Sequence, residues 1–210
     1  IYQINLAIAG IAVGTVSLPV LSEAFKSKNI KKLRNIQSKS FELSLLLSIP
    51  ASVGLILASE EIVNALFGYG TFSKEDVKLT ADALKYFGYG VPAFALVKIL
   101  SNFFFARDNT KTPFYISIVI VVINISISVS LFSTLGFIII PIATSLATWV
   151  GVFIYIYLLN KKKSLLLKIE LIANLIKILS STIIMSFILI FALNNYASYL
   201  DYMYKFKAIY

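Results

Sequence analysis

Apolar residues in this chain do not alternate with polar ones; they gather into runs about as long as the ~20 residues a helix needs to cross the hydrocarbon of a bilayer. Six such runs can be read, at 2–21, 41–59, 82–105, 114–132, 135–159 and 171–193. Ile and Val are abundant, yet a lipid environment admits only helices or closed barrels, and barrel strands would alternate. The pattern predicts an all-α, polytopic transmembrane bundle of about six helices. Residues 194–210 read as a tail on the outer side.

Composition sharpens this. Of 210 residues 59% are hydrophobic and 14% charged, and the mean hydropathy is +0.87. Soluble domains run nearer half apolar and a quarter charged. No cysteine and no histidine occurs, which removes disulfides, thiol nucleophiles, imidazole bases and the usual zinc ligands together. The net charge of +9 suggests nucleic acid only at first sight, because basic residues in a membrane protein mark cytoplasmic loops. Ile1 leads straight into an apolar run, without an initiator Met or a basic leader, so the chain reads as truncated.

The connections between runs carry the orientation. Lys26, Lys28, Lys31, Lys32, Arg34 and Lys39 lie in the first, Arg107 and Lys111 in the third, and Lys161, Lys162, Lys163 and Lys168 in the fifth. The second holds Lys74, Lys78 and Lys85 among five acidic residues, and the fourth is uncharged. Twelve basic residues against three in alternate loops place the odd loops in the cytoplasm. One helix more or fewer would scramble that alternation.

Within the first loop, Phe25, Ile30, Leu33, Ile36 and Phe41 recur near helical spacing among lysines. That suits a helix lying on the anionic membrane surface, the alternative being a solvated basic loop. In the outer loop, Phe67-Gly-Tyr-Gly-Thr-Phe72 reads as a turn, and Ser73 with Asp76 as a capping box for the third helix.

Polar and glycine or proline positions inside the runs are the candidates for function. Gly10 and Gly14 have GxxxG spacing, which predicts close helix packing. Pro92 follows Gly88 and Gly90, removes one backbone hydrogen bond and crowds the carbonyl four residues earlier, so the third helix should kink there; Pro50 is a second such position. Kinks of this kind serve as hinges in transporters and also occur in membrane proteins generally. Ser117, Asn124 and Ser128 share one face of the fourth helix, and Thr144, Thr148 and Gly151 one face of the fifth. Their oxygens could coordinate a small cation, or simply join the helices by hydrogen bonds. Lys98 either snorkels to the cytoplasmic interface or faces the bundle as a cation suited to a phosphate. Gln3 and Asn5 would line a cavity closed by helices preceding this segment.

Four ordered motifs resemble one family: Gly10-Ile-Ala-Val-Gly-Thr-Val-Ser-Leu-Pro-Val-Leu-Ser22, Phe67-Gly-Tyr-Gly-Thr-Phe72, Val91-Pro-Ala-Phe-Ala-Leu-Val-Lys98 and Phe105-Ala-Arg-Asp-Asn-Thr-Lys-Thr-Pro113. They look like the MviN/MurJ family of lipid II flippases, and the likeness runs to about residue 160. The resemblance implies a fourteen-helix, two-lobe fold of the multidrug/oligosaccharidyl-lipid/polysaccharide exporter superfamily. Its partners would be the undecaprenyl-linked peptidoglycan precursor lipid II, membrane lipids and an N-terminal lobe absent here, with no nucleic acid, in the bacterial inner membrane. This chain would be most of the second lobe, ending before the last helix. It carries Arg107, Asp108, Thr112 and Pro113 as a cytoplasmic-loop motif, while an arginine of the family's cavity would fall just before Ile1. Some relatives bind a monovalent cation; Asn124 and Thr144 match that site, but Ser128 stands where an Asp is expected. No other cofactor is implied.

The expected activity is lipid flipping by alternating access, without a bond made or broken. A drug or polysaccharide-lipid exporter of the same superfamily is the related alternative. A polyprenyl-phosphate transferase would need clustered carboxylates with a divalent metal at the membrane face. The acidic residues Glu60, Glu61, Glu75 and Asp76 lie instead on the expected outer side among lysines.

Overall fold

A computed structural model describes the backbone of residues 1–207 and the side chains of residues 1–195. Among the described residues seven helices follow in order: α1 (Tyr2–Lys26), α2 (Ile30–Leu57), α3 (Ser59–Phe67), α4 (Lys74–Phe105), α5 (Lys111–Leu135), α6 (Ile139–Lys161) and α7 (Glu170–Lys207). There is no strand among the described residues. Five stretches are long and apolar enough to span a membrane, and one of them, Lys111–Lys161, is 51 residues long. It folds back at Gly136 (φ +61°), where a short 3₁₀ turn separates α5 from α6, so that stretch supplies two helices and the described residues hold six helices of spanning length. The all-α polytopic bundle expected from hydropathy is the fold observed.

The helices overrun the apolar runs at their polar ends. Nothing between Ile30 and Pro50 breaks a helix, and the Asn29 side chain caps it by accepting from the Lys32 amide at 2.9 Å. The basic segment is therefore the first three turns of α2 itself, continuous with its span, and no separate surface helix forms. At 1.5 Å per residue α2 is about 42 Å long, enough to cross the headgroup regions as well. At the opposite end of the bundle, α4 starts at Lys74. Ser73 and Asp76 form the capping box, Ser73 N–H donating to Asp76 Oδ2 at 2.9 Å and Asp76 N–H to Ser73 Oγ at 3.2 Å. The hydrogen bonds from Ser73 hold the Asp76 carboxyl below the usual carboxylate range. The outer connection also contains α3, too short for hydropathy to single out. The expected tail begins inside α7, whose backbone is helical to Lys207; which side it lies on falls outside the described residues.

α4 is the central element. In its most apolar stretch 67% of residues are buried, against 28% in α1 and 39% in α2. It packs on α1, α2, α3 and α6, while α5 docks mainly on α6 and α7 on α2. Leu96, Ile99, Leu100, Phe103 and Phe104 of α4 meet Tyr155 and Leu159 of α6 and Phe41 and Leu45 of α2 in the main core.

Small residues set the close approaches. A Cβ on Gly10 would stand 3.2 Å from the Ala95 backbone, and Asn102 Nδ2 reaches the Gly14 carbonyl at 2.8 Å. The GxxxG face is thus where α1 meets α4, as packing predicts. Tyr2 stacks on Phe87 at 4.3 Å, Gly10 lies by Ala95 and Gly14 by Asn102, so α1 and α4 run parallel.

Candidate functional site

Residues 7–12 of α1 form a π-helical turn, Ala7–Ala12, against α4 at Ala95 and Lys98. Such turns are rare and gather at functional positions. Sequence gave no warning of it, because Gly10 and the alanines fit an ordinary helix as well. Lys98 is exposed on the lobe's surface beside this turn, and no carboxylate lies within ion-pair distance of it among the described residues. Gln3 is exposed and Asn5 half-buried. Gln3 precedes Gly10 by seven residues, so it lies about 10 Å farther toward the outer side than Lys98. Gln3 and Asn5 therefore sit near the start of α1 and Lys98 in the second half of α4, at two depths, and do not converge on one point.

Around Pro92 the backbone is stitched to both neighbours. Pro92 has no N–H to give the Gly88 carbonyl, and Ser52 Oγ of α2 donates to that oxygen at 2.7 Å. On the opposite side Ser145 Oγ of α6 donates to the Tyr86 carbonyl at 2.8 Å, and Trp149 Nε1 to the Tyr89 carbonyl at 3.0 Å. Gly88 lies against Ile56, and Gly90 against Ser145 and Phe94, so close that a Cβ on either would meet them at under 3 Å. These two glycines are therefore required by packing, whatever motion they also permit. Ser52, Ser145 and Trp149 were missed from sequence, although the i−4 geometry of Pro92 marks Gly88 as the carbonyl that needs a partner.

The polar stripes on α5 and α6 do meet, at one point. Asn124 Nδ2 donates to Thr144 Oγ1 at 3.0 Å, Ser128 Oγ donates to Asn124 Oδ1 at 3.2 Å, and Thr144 Oγ1 donates back to the Ile140 carbonyl at 2.7 Å. Ser117 and Thr148 bond only to carbonyls of their own helices, and Gly151 packs on Ile120. Among the described residues no group of three or more His, Cys, Asp or Glu comes together to hold a metal.

The C-terminal ends of α1, α4 and α6 stop in the same way. Lys28, Asp108 and Lys163 each adopt a positive φ (52°, 56° and 48°) directly after their helix, and the following amide reaches back to the last turn: Asn29 to Ala24, Asn109 to Phe104, Ser164 to Leu159. Asn109 then brackets Thr112, accepting from its amide at 3.1 Å and donating to its hydroxyl at 3.0 Å, while Pro113 is buried in the first turn of α5. Arg107 is half-buried. Nη2 donates to the Ser164 carbonyl at 2.9 Å, Nη1 to the Phe103 carbonyl, and the guanidinium lies 5.4 Å from the Phe25 ring centre. Burial pulls its pKa below the usual guanidinium value.

Residues 162–169 form a strap from α6 to α7 that side chains of α2 hold by its backbone. Gln37, fully buried, donates to the Ser164 carbonyl at 3.2 Å and accepts from the Leu166 amide at 2.8 Å. Ser38 Oγ accepts from the Lys168 amide at 2.8 Å, and Arg34 donates to the Leu167 carbonyl at 3.1 Å through Nη2. The signal available in the sequence was a Gln and a Ser adjacent on the basic segment, which look like ordinary loop residues.

Helices long and apolar enough to cross a bilayer, with basic turns gathered at one end of the bundle, define an α-helical, multi-pass membrane protein. The family model for the lipid II flippase MurJ matches residues 1–210, and the chain belongs to that family. It is 35% identical to a probable lipid II flippase MurJ of Rickettsia prowazekii over 98% of this chain and 40% of that protein. To those of Rhizobium tropici and Thermotoga maritima it is 38% and 36% identical, over 72% and 77% of this chain and 28% and 33% of theirs. The solved structure of a lipid II flippase MurJ in an inward closed conformation superposes with a TM-score of 0.76 at 28% identity, covering 89% of this chain and 38% of that one. The chain thus spans about two fifths of the Rickettsia relative's length. Its place is the bacterial inner membrane, as a multi-pass protein.

Proposed function

We propose that the full-length protein containing this chain flips lipid II from the inner to the outer leaflet of the cytoplasmic membrane by alternating access, this chain supplying most of the second lobe. The observation that carries the reading is the match of the whole chain to the MurJ family together with the arrangement of the α1–α4 side, where Lys98 and Gln3 are exposed beside a π-helical turn. A lysine about 11 Å from the cytoplasmic end of α4 is costly against lipid tails. Facing a hydrophilic path shared with the other lobe, it is placed to attract the diphosphate of the lipid-linked precursor. The protein makes and breaks no bond; it lowers the cost of moving a charged, sugar-bearing headgroup through hydrocarbon.

The test uses the full-length protein. Expressed in bacteria depleted of their own flippase it should restore growth, and in reconstituted vesicles it should move labelled lipid II between leaflets. Lys98→Gln should slow that movement without changing the protein's amount in the membrane. Absence of translocation by the folded wild type would sink the proposal, and full activity of Lys98→Gln would remove the role given to that lysine.

A further inference from the structure

The ends of α1, α4 and α6, the start of α2 and the strap line an open cavity of about 660 Å³ on the cytoplasmic side, separate from the α1–α4 face that carries the transport reading. Lys26, Lys28, Arg107 and Lys163 line it with a single carboxylate, Asp108. Among the described residues none of the four cations has a carboxylate partner; the ion pairs present are Lys32–Glu23 and Lys168–Glu170. Arg107 spends its hydrogen bonds on two neutral carbonyls and its flat face on Phe25, so its charge is held in place and left uncompensated.

Lysines near helix C-termini have an ordinary explanation, since each helix end presents roughly half a negative charge. Three ends give about −1.5 in that account. Four cations and one carboxylate give +3, so a surplus of about one and a half positive charges remains. Lys28 and Lys163 also keep a left-handed backbone at positions where glycine would be less strained. The remaining lining is apolar: Ala24 and Leu33 are buried, while Phe25 and Ile30 are 41% and 67% exposed. Exposed Phe and Ile beside lysines suit the boundary between headgroups and acyl chains better than free water.

We infer that this cavity binds the phosphate headgroup of an anionic phospholipid of the inner leaflet, with Arg107 and the three lysines around the phosphodiester and Phe25 and Ile30 against its glycerol and upper acyl carbons. The inference needs the six crossings and their orientation, and does not depend on what the protein transports. A bound lipid would bridge all three cytoplasmic turns and the strap.

The experiment titrates detergent-solubilised full-length protein with phosphatidylglycerol and with phosphatidylcholine, reading retained lipid by native mass spectrometry. The triple variant Lys26→Gln, Lys28→Asn, Lys163→Asn leaves the folded contacts alone, because none of the three ammonium groups makes a hydrogen bond or ion pair. The Asn residues accept the left-handed backbone. A control triple, Lys31→Gln, Lys111→Gln, Lys161→Gln, removes the same charge outside the cavity. Phosphatidylglycerol should be retained over phosphatidylcholine, the cavity triple should bind it about tenfold or more weakly, and the control should change it less than about twofold. If the cavity triple does not fold, each single variant should weaken binding about threefold to fivefold. Equal losses in both triples would reduce the effect to general surface charge and overturn the proposal. Displacement of the lipid by millimolar glycerol phosphate or inorganic phosphate would overturn it too, by making the ligand a soluble anion.

Discussion

Ser52 Oγ donates to the Gly88 carbonyl at 2.7 Å, and that carbonyl is the one Pro92 leaves without a helical N–H partner. A defect in α4 is thereby repaired by α2, and the repair is buried, Ser52 being 6% exposed. Ser52→Ala should destabilise the protein by about 1 kcal/mol, since a buried carbonyl loses its donor but membrane hydrogen bonds are individually modest. In a Pro92→Ala background a backbone N–H becomes available to Gly88, and Ser52→Ala should then be nearly neutral. A double-mutant cycle by unfolding in mixed micelles measures this; an equal Ser52→Ala cost in both backgrounds would refute the pairing.

Two glycines in neighbouring helices should respond oppositely to alanine. At Gly90 a Cβ would stand 2.5 Å from Ser145 Oγ and 2.6 Å from the Phe94 ring, pushing Ser145 off the Tyr86 carbonyl. Gly90→Ala should cost about 1–3 kcal/mol as overpacking. Gly54, in α2, has open space around its Cβ position. Gly54→Ala should be neutral or stabilise by up to about 1 kcal/mol through helix propensity. Thermal unfolding of the two variants side by side checks the sign; a stabilising Gly90→Ala would contradict the packing described.

How far the sequence reached follows from what hydropathy measures. Runs of apolar residues report the thickness of hydrocarbon crossed, so the all-helical bundle and its long apolar helices were readable. They do not report where a helix stops in the headgroup region, so α2 was cut short at its basic end and α4 at its outer one. Side chains that satisfy a distant backbone, such as Gln37 on the strap or Ser52 on Gly88, leave no local signature because their partners are 127 and 36 residues away. Asn124 and Thr144 were legible as a pair because each is polar inside an apolar helix next to the other in sequence.

That pair makes a specific prediction about ions. Asn124 Oδ1 accepts from Ser128 and Thr144 Oγ1 from Asn124, so a cation would have to share these oxygens with existing donors, and neither α5 nor α6 carries a carboxylate to offset its dehydration. Unfolding temperature should be the same in sodium and in potassium chloride of equal concentration. Asn124→Ala and Thr144→Ala should each cost about 0.6–1.7 kcal/mol, and the double variant less than their sum, because both remove one hydrogen bond. A sodium-specific rise in stability that disappears in Asn124→Ala would show that the clasp opens to take an ion.

The strap is the connection whose loss should be most visible. Gln37 is buried and gives both ends of its amide to the strap backbone, one to Ser164 and one to Leu166. Gln37→Leu keeps most of the volume but leaves the Leu166 N–H without a partner, while the Ser164 carbonyl keeps only Arg107, at a cost of about 1–3 kcal/mol if that N–H stays dry. The cheaper outcome is for the strap to leave α2 and reach water. Ser38 then loses the Lys168 amide and Arg34 the Leu167 carbonyl as well, and the cluster Lys161, Lys162 and Lys163 becomes open to protease. Gln37→Leu should therefore lower global stability by less than that full cost while speeding tryptic cleavage in residues 161–168 and amide exchange of Leu166 and Lys168 by about tenfold or more. Gln37→Glu preserves only the accepting half and should fall between. Unchanged cleavage and exchange in Gln37→Leu would mean that the strap is held by packing of Leu165 and Leu167 against the core and not by the buried amide.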